Sequence, residues 1–106
     1  HGALTPEELE AYFRAQLLWD EAMAESVATH RARFPGQRVL LLVGGFHVQR
    51  DGATRTRLSA RRPHDRVLTL VYVSRPGGGL AWRDDDHGLG DIVVYGVAPP
   101  PSPAAP

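Results

Sequence analysis

With 106 residues the chain is one domain at most, long enough for a core of modest size. Its 12 basic residues cancel its 12 acidic ones, so no global field draws it toward nucleic acid or a membrane surface. Cysteine is absent, which excludes a disulfide framework, a thiolate nucleophile and a zinc-thiolate site.

Every Lys/Arg-type residue is arginine, and lysine and asparagine are missing altogether, a pattern produced either by GC-rich coding or by arginine-only recognition of anions. No apolar run approaches the roughly 18 residues that a membrane span needs, and no signal-peptide pattern is present. The chain starts at His1 rather than methionine, as a processed or truncated product would.

Thr5-Pro6-Glu7-Glu8 is a helix start: threonine at the N-cap, proline at the first helical position and glutamate at the third form a capping box. The helical pattern then runs to about Arg33, where Phe34-Pro35-Gly36 stops it. That is about 28 residues, roughly 42 Å as one helix, or a broken pair. At about 100° per residue, Leu9, Phe13, Met23, Ala24 and Val27 share one face, with Tyr12, Leu17 and Trp19 at its edges. Gln16 and Asp20 interrupt that face, four residues apart and therefore neighbours. A carboxylate facing a core is costly unless paired, so Asp20 either meets a buried partner across the interface or lines a polar cleft.

Arg38-Val39-Leu40-Leu41-Leu42-Val43 reads as a strand buried on both faces, because a half-exposed strand would alternate apolar and polar residues. Gly44-Gly45-Phe46-His47 follows, and in open α/β sheets ligands sit beyond the carboxyl ends of strands, where His47 falls. Gln49 to Pro63 is polar and carries Arg50, Arg55, Arg57, Arg61 and Arg62. It is either a solvated loop or an arginine-rich lip able to hold carboxylate or phosphate.

Arg66 to Val73 predicts a second strand, far enough from His47 for a parallel crossover and too far for a tight hairpin. Ser74 to Gly90 is a loop by composition. Its Asp84-Asp85-Asp86-His87 run matches no calcium loop and reads as a solvated acidic turn rather than a metal site. Asp91 to Gly96 is a third, short strand, and Pro99 to Pro106, with five prolines in eight residues, is an extended tail. The expected fold is therefore α/β: a small, mostly parallel sheet of about three strands with one long or broken N-terminal helix, in a single partial domain over residues 1–98 with a Pro-rich tail over 99–106. A sheet apolar on both faces needs cover on both, and one helix shields one. Residues 50–62, another copy of the chain or a preceding segment must supply the rest, so the chain is expected to form a homo-oligomer or to pair with a missing N-terminal half.

The run Ala15-Gln16-Leu17-Leu18-Trp19-Asp20-Glu21-Ala22-Met23-Ala24-Glu25-Ser26, joined through a strand to Gly44-Gly45-Phe46-His47-Val48, resembles the ChaN-like haem-binding, iron-regulated protein family over about residues 10–73. More distantly it is similar to erythromycin esterases and TIKI/TraB-type proteins. The W-D-x-x-M-A segment together with G-x-x-H carries the resemblance. Two departures stand out. Gly45 and Phe46 replace the Asn-Gly common before the histidine, and Gly52-Ala53-Thr54-Arg55 stands where a Gly-Ile-Pro-like segment usually follows.

The resemblance implies that the chain is the C-terminal half of a larger α/β domain, that it binds haem in iron or haem uptake, and that it is a lipoprotein of the cell envelope. A haem site here would take the porphyrin in an apolar slot, with His47 or a tyrosine on iron. Tyr12 is the first tyrosine to consider, because it borders the face of Gln16 and Asp20, while Arg55 and Arg57 would hold propionates. Two alternatives remain open: a metal-dependent, esterase-like hydrolase in which Asp20 orients His47, and a structural half-domain without activity. The geometry common to haem binding and the esterase-like alternative has His47 and Asp20 looking into one shared hollow.

Overall fold

In the computed structural model, which describes residues 2–75, 77 and 80–103, the chain begins with a reciprocal cap. The Thr5 hydroxyl accepts from the Glu8 amide at 3.1 Å and the Glu8 carboxylate accepts from the Thr5 amide at 2.8 Å. With both donors satisfied, α1 runs unbroken from Pro6 to Arg33, 28 residues. Phe34, held ahead of Pro35, ends it. Arg31 then ties the exit: its guanidinium donates to the Pro35 carbonyl at 3.0 Å, to the Gln37 carbonyl, and to Asp65 at 3.1 Å.

The arginine-rich stretch expected to be a loop contains a second helix, α2 (Ala53–Arg61), packed across α1. Thr54 of α2 is buried with its hydroxyl on Asp20 of α1, and Leu58 is half-buried. Arg57 and Arg61 pair with Glu21 of α1, and these guanidinium groups, Arg61 foremost, hold its carboxyl below the usual range. Nine residues of α2 span about 13 Å against about 42 Å for α1. The α1 partners of α2, Asp20 and Glu21, lie past the midpoint of α1, and Leu9 and Phe13, expected on a buried stripe, are more than half exposed.

Two of the three expected strands pair. β1 (Leu70–Arg75) and β2 (Ile92–Val97) run parallel, in register from Leu70 opposite Ile92 to Arg75 opposite Val97. Each lies a little later in the chain than its apolar run suggests, because Asp91 accepts from the Thr69 amide at 2.8 Å and closes the entry to the ladder. Arg55 donates to the same Asp91 oxygen at 2.7 Å and to the Thr69 hydroxyl at 2.8 Å, linking α2 to the sheet.

The third expected strand, Val39–Val43, is not part of the sheet. Residues 37–44 form neither helix nor ladder among the described residues, and exposure alternates with the two-residue period of an extended chain: Leu40 and Leu42 are 93% exposed, Val39 and Leu41 38%. A strand is buried on both faces only when neighbours flank it, and β1 and β2 pair with each other instead. Among the described residues the buried apolar side chains are Ala24 and Val71.

The acidic turn also differs from expectation. Asp84–Asp86 forms a 3₁₀ turn in which Asp86 is buried, not solvated. It accepts from Arg75 at the end of β1, from the Arg83 amide at 2.9 Å and from the Tyr95 hydroxyl at 2.8 Å. The Arg75 guanidinium, with those two donors, holds its carboxyl down at about 2. Pro76, Gly78 and Gly79 of the glycine-rich loop, His1, and residues 104–106 of the tail lie outside the described residues. Among the described residues no helix is long and apolar enough to cross a membrane.

Candidate functional site

The chain turns sharply between Gly44 and Gly52. Gly45–His47 is a 3₁₀ turn, with the His47 amide donating to the Gly44 carbonyl at 3.1 Å and the Gln49 amide to the Gly45 carbonyl at 2.8 Å. Arg50 and Asp51 follow, both left-handed at φ 53° and 55°. For residues with a Cβ each such conformation costs on the order of 1 kcal/mol. Arg50 is held there by its amide bond to the Leu89 carbonyl and by its guanidinium on the carbonyls of Asp85 and His87. The reversal brings the start of α2 against the His47 backbone. At Gly52 a Cβ would lie 2.5 Å from the His47 carbonyl oxygen and 2.8 Å from the Val48 nitrogen, so only glycine fits.

This tight turn places three side chains from separate segments on one point. Asp20 leaves the middle of α1, 2% exposed, and its Oδ1 accepts from His47 Nδ1 at 2.7 Å and from Thr54 Oγ1 at 2.6 Å. Thr54 is 1% exposed. A carboxylate can only accept, so the arrangement assigns the proton of neutral His47 to Nδ1 and leaves the Nε2 lone pair unused. Nε2 makes no hydrogen bond to a described residue. The imidazole lies edge-on to the exposed Phe46 ring, centroids 5.5 Å apart. An imidazole fixed at one nitrogen with the other free is a metal ligand or a proton acceptor held in one orientation.

The other side chains singled out from the sequence lie elsewhere. Gln16 is half-buried one turn before Asp20, and Tyr12, 58% exposed, is two turns before it, about 12 Å along the axis. Neither hydrogen-bonds to His47. Arg55 is committed to Asp91 and Thr69, and Arg57 to Glu21. Tyr72 lies over Gly96, where a Cβ would collide with its ring. Tyr95 donates to Asp86, and burial followed by that contact raises its pKa. A shallow apolar hollow of about 290 Å³, lined by Leu18, Trp19, Ala22 and Met23, lies round α1 from Asp20 and does not include His47.

Thr54 is the site residue that the sequence did not disclose. Leu58 is the single large apolar residue in α2, and Gly52 at the N-cap offers no side-chain cap, so neither periodicity nor a start signal marks the helix that carries it.

Among the described residues no three His, Asp or Glu side chains converge as a metal-binding group. A mononuclear hydrolytic metal needs about three protein ligands, whereas an iron already held by a porphyrin needs one or two. One anchored imidazole fits the second requirement. A family model described as haem-binding uptake, Tiki superfamily, ChaN, matches residues 1–58. The matched stretch holds Asp20, His47 and Thr54 and ends before the sheet. No curated protein and no solved structure matches the chain.

Proposed function

The chain belongs to the haem-binding uptake family of the Tiki superfamily (ChaN), and on that premise we propose that it handles haem with His47 as the protein's ligand to the iron. The observation that carries this reading is the Asp20–His47 contact at 2.7 Å, which fixes the imidazole through Nδ1 and leaves Nε2 able to donate its lone pair. When bound, haem would supply the iron. His47 would hold that iron through Nε2, with Asp20 orienting the ring and raising its donor strength and Thr54 behind Asp20. Phe46, 66% exposed beside the imidazole, offers an apolar surface for the edge of a flat ligand.

Arg55 and Arg57 serve this site through α2, which their ion pairs hold against the sheet and α1. Tyrosine ligation is supported less well. Tyr95 would have to leave Asp86 and lose a proton that its surroundings hold, and Tyr12 lies two turns from Asp20.

The Asp20–His47 pair would also suit a hydrolase as an oriented general base. The Thr54 hydroxyl donates to Asp20 rather than to His47, so in that alternative the base would act on water and not on Thr54. Haemin titration followed at the Soret band tests the proposal. The wild-type chain and a variant with all three tyrosines changed to phenylalanine are expected to give the same shift. Loss of the shift in the tyrosine-free variant overturns ligation by His47.

A further inference from the structure

We infer that Thr54 is a positioning residue for His47, acting through Asp20. A helical threonine ordinarily turns its hydroxyl back to a backbone carbonyl about one turn earlier, and the exposed Thr56 of α2 does so, donating at 2.8 Å to the carbonyl of Asp51 just ahead of the helix. Thr54 instead donates across to α1, at 2.6 Å from the same Oδ1 that His47 uses. The carboxylate torsion of an aspartate is broad, so one hydrogen bond from a ring does not hold the carboxylate in the plane of the ring. The second donor, from a rigid helix on the other side, does. Gly52 completes the device, because its backbone abuts the His47 carbonyl and so locks α2, and with it the Thr54 hydroxyl, in register with the imidazole.

The consequence is a single tautomer. With Oδ1 pinned, Nδ1–H has one acceptor and Nε2 stays unprotonated and outward.

The importance of that tautomer rests on the proposed ligation, but its existence does not. The test is long-range ¹⁵N–¹H correlation of the histidine rings in the haem-free full chain at one neutral pH, with the His47 signal assigned by its loss in His47→Gln. The wild type is expected to show the Nδ1–H form alone. Thr54→Val is expected to show the two tautomers in comparable amounts, and Thr54→Ser to restore the single form. Thr54→Ala gives the same reading without a branched methyl at the helix contact, should the valine variant not fold. A single Nδ1–H tautomer in Thr54→Val or Thr54→Ala overturns the inference, as does a mixture in the wild type or in Thr54→Ser. Because no haem is present, a chain that shows the expected pattern yet ignores haemin defeats the ligand assignment and leaves the role of Thr54 standing.

Discussion

Asp20 and His47 stand 27 positions apart in the chain, yet their side chains meet at 2.7 Å, one from the middle of a long helix and the other from the turn that follows an apolar run. Removing the charge while keeping the shape isolates what the carboxylate does. Asp20→Asn leaves an amide that accepts weakly and can rotate its NH₂ toward the ring. Haemin affinity is expected to fall by about 10- to 100-fold, the usual effect of losing a partner behind a metal-bound histidine, with little change in helix content by circular dichroism.

Gly52 holds the turn together by absence. Its φ of −53° suits any residue, so strain is not the reason for glycine there; space is. Gly52→Ala forces the His47 carbonyl or the first turn of α2 to move, an overpacking cost of about 1–3 kcal/mol. Thermal unfolding is expected to shift down accordingly, and the Asp20–His47 contact to loosen even where the chain still folds.

Acid should unfold the chain over a defined window. Asp86, held by Arg75, and Asp65, held by Arg62 and Arg31, titrate at about 2 in the folded chain against 3.8 ordinarily. Their folded values lie below the unfolded one, so the stabilisation they give is complete above about pH 4 and is lost as pH falls toward 2. Asp86→Asn is expected to be less stable at neutral pH and to lose less stability between pH 4 and 2. A denaturant midpoint measured at several pH values checks both statements.

Leu40 and Leu42, each 93% exposed on an unpaired stretch, make self-association the expected behaviour of this chain in isolation. A buried leucine is worth about 1.5–3 kcal/mol relative to an exposed one. Sedimentation velocity across a concentration series should show growing species for the wild type. Leu40→Glu with Leu42→Glu should move the distribution toward monomer.

The parts of this architecture that were legible in the sequence are those governed by local chemistry. The Thr5 cap, the run of α1 and its stop at Pro35 follow from side-chain capping and proline sterics, which need no tertiary partner. The parts that were not legible depend on who packs against whom. α2 is a helix because Thr54 meets Asp20 of α1 and because Arg57, Arg61 and Arg55 find acids outside the helix; its own residues carry no apolar stripe. Asp86 reads as one of three equivalent aspartates until Arg75 is placed beside it. Val39–Val43 shows the reverse case, an apolar run that announces a central strand while the described residues supply no neighbour for it.

The most direct test of His47 as the iron ligand is chemical rescue. Haemin titrated into His47→Ala should give no Soret shift beyond that of haemin mixed with an unrelated protein, and added imidazole, filling the space of the lost ring, should restore the wild-type spectrum. A His47→Ala chain that gives the wild-type spectrum without imidazole would contradict the account.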